Sequence, residues 1–183
     1  MIALRRLILL ILALAALPAG AQPVPEYELK AAFVYNFVQF TEWPADSPWD
    51  SSPTLNLCVS ASSPLSSALY ALNDRAIRGR RLAVRFVGSY DALPGCHVLF
   101  LDAADRPRLA QIRKSLAGAA VLTISDDSDI IRDGVVIGLG LLDNNRMGFE
   151  VNLQAMRQAR LTISSKLLRL SQPISQPISR PSH

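Results

Sequence analysis

Apolar positions recur along this chain at two spacings, and the spacing changes from segment to segment. From Glu26 to Trp43 (EYELKAAFVYNFVQFTEW), Leu29, Ala32, Phe33, Phe37 and Phe40 fall at helical intervals, and Pro44 ends the run. Pro44 to Pro53 holds three prolines among Ser and Asp and predicts a loop. Thr54 to Ala61 predicts a strand, and Pro64 to Leu72 a short helix with proline in its first turn. Gly79 opens a second strand, Arg80 to Val87, in which Leu82, Val84 and Phe86 share one face. After the Leu93-Pro94-Gly95 turn, Cys96 to Leu101 is apolar nearly throughout, as a strand buried on both faces should be. Arg108 to Leu116 predicts a helix closed by Gly118.

Ala120 to Ser125 reads as a further buried strand, and Asp126 to Arg132 as a short polar segment closing on Gly134. Val135 to Leu142, the Asp143-Asn144-Asn145 turn and Arg146 to Val151 predict a hairpin. Leu153 to Leu170 predicts one final helix, with Met156, Leu161, Ile163, Leu167 and Leu168 apolar. Strands alternating with helices predict a single α/β domain over residues 22–170. Its largely parallel sheet is flanked by helices, the late hairpin adds an antiparallel edge, and a long C-terminal helix closes it. Residues 171–183 repeat Pro-Ile-Ser without a core signal, the composition of a disordered tail.

The first 21 residues stand apart from this pattern. Arg5 and Arg6 precede an unbroken apolar run from Leu7 to Leu17, Pro18 breaks it, and Ala19-Gly20-Ala21 supplies the small residues of a cleavage site. That is a signal peptide cut before Gln22, too short to remain as a membrane anchor. The expected fate is therefore export. With 19 basic and 15 acidic residues the net charge is +4. Cleavage removes two arginines and no acid, so the mature chain carries only +2, and nucleic acid is not an expected partner. The 50% hydrophobic content excludes global disorder, and the lack of a second long apolar run excludes a polytopic membrane protein.

Cys58 and Cys96 are the only cysteines, 38 positions apart. An even count in an oxidising compartment points to a structural disulfide, against two free thiols or a metal pair. Catalytic chemistry is sparse. His97, inside a predicted core strand, and His183, at the end of the tail, are the only imidazoles. Asp126, Asp127, Asp129 and Asp133 follow a buried strand and read as helix caps and turn formers more readily than as Mg²⁺ or Ca²⁺ ligands. Gly138-Leu139-Gly140 lacks the third glycine and the helix of a dinucleotide loop. Arg75, Arg78, Arg80, Arg81 and Arg85 read as a solvated turn more readily than as an anion site. No cofactor, no metal and no catalytic residue is expected.

The aromatic distribution is less ordinary. Tyr27, Phe33, Tyr35, Phe37, Phe40 and Trp43 lie within 17 residues. Phe33, Phe37 and Phe40 fit the buried helical face, which leaves Tyr35 and Trp43 for a partner or a small-molecule pocket, or for burial beneath a second layer. Lys30-Ala31-Ala32-Phe33-Val34-Tyr35-Asn36-Phe37 with Phe40-Thr41-Glu42-Trp43-Pro44 resembles the opening of the YfiR family of periplasmic regulators. Cys96-His97-Val98-Leu99-Phe100, Val121-Leu122-Thr123-Ile124-Ser125-Asp126 and Phe149-Glu150-Val151-Asn152-Leu153, leading into Ile163-Ser164-Ser165-Lys166-Leu167-Leu168, resemble it in order.

The resemblance implies a non-enzymatic, dimeric α/β protein of the periplasm. A member of this kind binds the periplasmic sensor domain of an inner-membrane diguanylate cyclase and holds it inactive. Sequestration by an outer-membrane lipoprotein releases the cyclase, raises cyclic di-GMP and promotes biofilm. Cys58 and Cys96 match a family disulfide, whereas the second disulfide of some members has no counterpart here. Arg146-Met147-Gly148-Phe149 departs from the more usual basic-apolar-basic-Phe run. Tyr35, Trp43, Glu150 and Asn152 are the expected partner contacts, and Asn152 has a rival role as cap of the last helix. The other function classes are a small-ligand sensor or adaptor for another membrane receptor, and a hydrolase built on His97 or the Asp126 group.

Overall fold

The structure, a computed structural model, describes residues 25–47, 52–88, 93, 95–144 and 146–174, and the backbone of 176–177. The signal segment 1–21, His183 and the end of the tail lie outside the described residues. Helix α1 (Glu26–Gln39) carries Glu26 and Glu28 in its first turn, where acids suit the helix dipole. It is followed by β1 (Thr41–Glu42), β2 (Thr54–Ser60), α2 (Ser66–Tyr70), β3 (Ala76–Ile77), β4 (Arg80–Val87) and β5 (Val98–Leu101). A 3-10 turn (Ala103–Arg108) leads into α3 (Leu109–Ser115), β6 (Leu122–Ser125), α4 (Ser128–Arg132), β7 (Ile137–Leu141) and β8 (Met147–Val151). Last come α5 (Leu153–Gln158), β9 (Thr162–Ile163), α6 (Ser165–Leu168) and β10 (Gln176–Pro177).

Among the described residues eight strands form the main sheet. Its five central strands, β4-β2-β5-β6-β7, are parallel, and β3, β8 and β10 add antiparallel edges. The fold is thus the α/β domain with a largely parallel sheet that the alternation predicts. Counted along the chain, the parallel strands run in the order 2-1-3-4-5, so the direction of winding reverses between β2 and β5.

Alternation along β5 shows how both faces are covered. Val98 and Phe100 enter one core with Val34, Phe37, Leu57 and Leu69, beneath α1 and α2. Leu99 and Leu101 enter the other with Cys58, Cys96, Ile112 and Ile130, beneath α3 and α4. A disulfide joins Cys58 to Cys96 across 5.8 Å between Cα atoms, on the α3–α4 side. On the opposite side the Phe37 ring meets that of Phe149 of β8 at a tilt, 4.9 Å between centroids, which fastens α1 to the hairpin.

Three expectations are corrected here. The predicted first helix stops at Gln39, and Thr41–Glu42 forms the short strand β1 paired with β9. The predicted single helix Leu153–Leu170 is broken. Arg160 adopts φ +54°, Leu161 N donates to Met156 O at 3.1 Å and Arg160 N to Arg157 O at 3.0 Å. This is a Schellman ending with arginine where glycine is usual, and Leu161 turns inward behind it. β9 and α6 occupy the remainder of that stretch. Finally, residues 171–174 are docked: Gln172 N donates to Phe149 O at 3.0 Å, and Ser171 Oγ accepts from Val151 N at 2.9 Å.

Candidate partner-binding surface

The enzyme alternative rests on the imidazole and the acidic group. His97 lies just before β5, fully buried. Its Nδ1 accepts from Asn56 N at 2.9 Å while its own N donates to Asn56 O at 2.9 Å, so the ring extends the β2–β5 ladder. Burial, helped by the Arg80 charge, lowers its pKa from 6.5 to about 4. The folded protein therefore keeps this imidazole neutral at pH values where the unfolded chain already binds a proton. His97 stabilises fully above 6.5, and that contribution is lost as the pH falls towards 4. The loss amounts to about 3 kcal/mol at 1.4 kcal/mol per pH unit. Urea unfolding at pH 7 and pH 4.5 should show this slope in the native chain. In His97→Gln, whose amide oxygen can still accept from Asn56 N, the slope should shrink by about 2 kcal/mol. An unchanged slope would remove His97 as its cause.

The acidic residues after β6 are each engaged. Asp127 caps α4 by accepting from Asp129 N at 3.1 Å and Ile130 N at 3.2 Å. It also takes the Arg106 guanidinium, which with the cap bonds holds its carboxyl below the usual range against the upward pull of burial. Asp129 pairs with Arg132 and Arg106, and Asp133 with Arg113 at 2.8 Å. Asp126 receives the buried ammonium of Lys30 at 2.6 Å, and Lys30 reaches Glu26 at 2.6 Å as well. Burial would lower the Lys30 pKa, but its two carboxylate partners raise it overall. Burial raises that of Asp126, which faces Asp102 in addition to the lysine. Among the described residues no group of three His, Cys, Asp or Glu side chains is placed to hold a metal ion.

Tyr35, Trp43, Glu150 and Asn152 are all half-buried, and they fall into two places. Tyr35 donates its hydroxyl to Ala76 O of β3 at 2.9 Å and lies under Arg75 at 5.8 Å. Trp43 follows Glu42, which pairs with Arg78 just beyond β3, and its ring meets His97 edge-on at 6.3 Å. Tyr35 thus adjoins β3 at the edge of the sheet, and Trp43 the start of β5 beside β2. Glu150 and Asn152 stand on or just after β8, at the opposite edge. Glu150 accepts from Ile174 N at 3.3 Å, and Asn152 caps α5 by accepting from Gln154 N and Ala155 N, both at 3.0 Å.

The hairpin departure also has a local reason. Gly148 sits opposite Gly140 in the β7–β8 ladder, and a Cβ there would come within 2.5 Å of the Leu142 side chain. A larger residue at 148 would require Leu142 to move.

Sequence reasoning missed one feature of the β3–β4 edge. Leu82, Val84 and Phe86 do share a face, but cover runs out along it: Leu82 is buried, Val84 half-buried, and Phe86 49% exposed. Phe86 stacks at 5.6 Å on Tyr70, itself 52% exposed at the end of α2. β3 pairs with Arg80 and Arg81, and residues 73–75 continue the cover of β4: Leu82 N donates to Arg75 O at 2.9 Å, Asp74 N to Leu82 O at 2.8 Å and Val84 N to Asn73 Oδ1 at 2.9 Å. Past that cover, the two stacked aromatics form an exposed apolar contact patch among the described residues. Its signal was only the nearness of α2's last aromatic to an arginine-rich edge strand.

Comparison with known proteins bears on what such a patch serves. The YfiR/HmsC-like family profile matches residues 27–172. The chain belongs to the YfiR/HmsC-like family. That match runs from the second residue of α1 through α6. No curated protein matches the sequence. Among solved structures, a conserved domain protein from Vibrio cholerae O1 biovar El Tor str. N16961 is similar, at TM-score 0.51 and 9% identity. The alignment covers 80% of this chain and 59% of that one, and at this identity it speaks to fold alone. Among the described residues no helix is long and apolar enough to cross a membrane.

Proposed function

We propose that this YfiR/HmsC-like chain is a periplasmic regulator without catalytic activity. It binds the periplasmic sensor part of an inner-membrane signalling protein, a diguanylate cyclase, and represses it, lowering cyclic di-GMP and biofilm formation. A homodimer is its working form, and an outer-membrane lipoprotein is a second partner that relieves repression. The observation that carries this reading is the family match over 27–172. Repression of this kind needs no bond to be made or broken. It needs a complex that favours the inactive conformation of the cyclase by a few kcal/mol over the active one.

We assign the contact to the β3–β4 edge, where Tyr70 and Phe86 supply exposed apolar area, with the half-buried Tyr35 and Trp43 as further contacts. Glu150 and Asn152 mark a second contact region at the β8 edge. The test is in-cell crosslinking of the tagged protein in its host, followed by mass spectrometry of the co-purifying chains. Recovery of an inner-membrane protein with a periplasmic sensor segment and a cytoplasmic cyclase domain is expected. Phe86→Arg should reduce its recovery about tenfold or more while leaving thermal unfolding within a few degrees. Recovery of the chain alone would remove the regulator reading, and undiminished recovery with Phe86→Arg would remove this edge.

A further inference from the structure

Strand β6 covers only the first part of β7. Ile124 lies opposite Ile137 and Ser125 opposite Gly138, and there the pairing ends. β10 takes the rest of that edge, with Gln176 opposite Leu141 and Pro177 opposite Gly140 in an antiparallel pair. Before reaching it the chain runs along the outer edge of β8. Val151 N donates to Ser171 Oγ at 2.9 Å, Gln172 N to Phe149 O at 3.0 Å and Ile174 N to Glu150 Oε2 at 3.3 Å. Residues 171–174 and 176–177 thus strap the β7–β8 hairpin, gripping the outer edge of β8 and the far edge of β7.

The strap is hydrogen-bonded but little packed. Gln172 and Pro173 are exposed, and the one aliphatic side chain of 171–174 besides proline, Ile174, is half-buried. A cavity of about 360 Å³ is lined by Gly138, Glu150 and Val151 of the hairpin and by Ser171, Gln172 and Pro173 of the strap. A segment with so little apolar burial opens at low cost. Bonds to backbone and to one carboxylate do not distinguish the chain that supplies the segment, so the hairpin accepts it from a second copy on the same terms. The joint is short. Leu170 N donates to Leu167 O at 3.0 Å and Ser171 N to Leu168 O at 3.2 Å, which carries the turn of α6 up to the strap. Straightening that turn directs the strap away from its own hairpin. Leu170, at the joint, is 62% exposed and gives a second copy apolar area to cover.

We propose that two copies of this chain exchange their C-terminal segments, each laying residues 171–174 and 176–177 on the β7–β8 hairpin of the other. The exchange is reciprocal and two-fold, so each hairpin is completed by its partner. It supplies the contact of the homodimer in the proposed function and rests on that reading only for the dimeric state.

Leu141→Cys and Gln176→Cys, placed in separate chains, cannot bond within one molecule. The two positions are Cα partners across an antiparallel pair, close enough for a disulfide. Mixed and gently oxidised, these chains should give a disulfide-linked heterodimer about tenfold or more in excess of that from Gln176→Cys mixed with Gln111→Cys, exposed on α3. With Leu141→Cys and Gln176→Cys in one chain, the share of covalent dimer should rise with protein concentration. Independently of any variant, light scattering should find a concentration-dependent dimer of the unaltered chain. In an equal mixture of its ¹⁵N-labelled and ¹³C-labelled forms, isotope-filtered spectra should show the Gln172 amide touching Phe149 or Glu150 between chains. A dimer without that contact, or with the double variant closing only within single chains, would overturn the exchange and leave the homodimer standing. A heterodimer no more abundant than the control would also overturn it. A monomer at every concentration would overturn the exchange and the homodimer together, with the strap closed on its own chain.

Discussion

Replacing both cysteines, Cys58→Ala with Cys96→Ala, is expected to lower stability by about 4 kcal/mol. The two sulfurs lie in the core on the α3–α4 side, each residue about 1% exposed, and close a stretch of 38 positions. In the chain-entropy account the bond acts on the unfolded chain, whose accessible conformations it restricts. A domain of this size is stable by about 5–15 kcal/mol, so the loss is a large share of the total. Urea unfolding of the oxidised native chain beside the double variant measures it directly. The variant should also show a steeper denaturant dependence, because its unfolded state is free to expand and expose more surface. A loss under about 1 kcal/mol with an unchanged slope would mean that native packing, not loop closure, carries the stability here. The position of the bond adds a local consequence. Cys96 adjoins His97, whose ring continues the β2–β5 ladder, so the disulfide also fixes the point from which β5 starts.

Much of the sheet was legible because its strands carry their burial in their composition. Val98, Leu99, Phe100 and Leu101 are all buried, and a strand covered on both faces has no polar alternate positions to blur its limits. The 2-1-3-4-5 order was not legible. It arises from pairings between segments far apart, such as Leu57 opposite Val98, which no local periodicity records. The break in the last helix was hidden for a different reason. A Schellman ending announces itself through glycine, and this one places Arg160 in the left-handed region, so Met156, Leu161 and Ile163 looked like one continuous stripe.

Site reasoning divides in the same way. The reading of the acids as caps fits Asp127, which accepts from Asp129 N and Ile130 N at the start of α4. Asn152 occupies the cap position foreseen as its rival role. The exposed pair Tyr70 and Phe86 depends on which elements end where, and that is tertiary information.

The same limit hid the ion pair between Lys30 and Asp126, 96 positions apart, whose disruption is the other large effect expected. Lys30 projects from α1 into the first core with a side chain only 4% exposed, and Asp126 at the end of β6 is 16% exposed. Removing the ammonium leaves a largely buried carboxylate beside Asp102 with no cation of its own. Lys30→Met should therefore cost about 3 kcal/mol or more at neutral pH. Asp126→Asn should cost less, because Lys30 keeps Glu26, a more exposed partner at 2.6 Å. The double variant, Lys30→Met with Asp126→Asn, should be more stable than the two single losses summed, by at least about 1 kcal/mol. Acid supplies an independent check of sign. Burial already raises the Asp126 pKa, and without Lys30 it rises further, so protonation on acidification relieves the buried charge. The gap between Lys30→Met and the native chain should thus narrow as the pH falls towards the carboxylate range. A gap that stays constant, together with additive single variants, would show that Lys30 acts through its hydrocarbon stem packed under α1 and not through its charge.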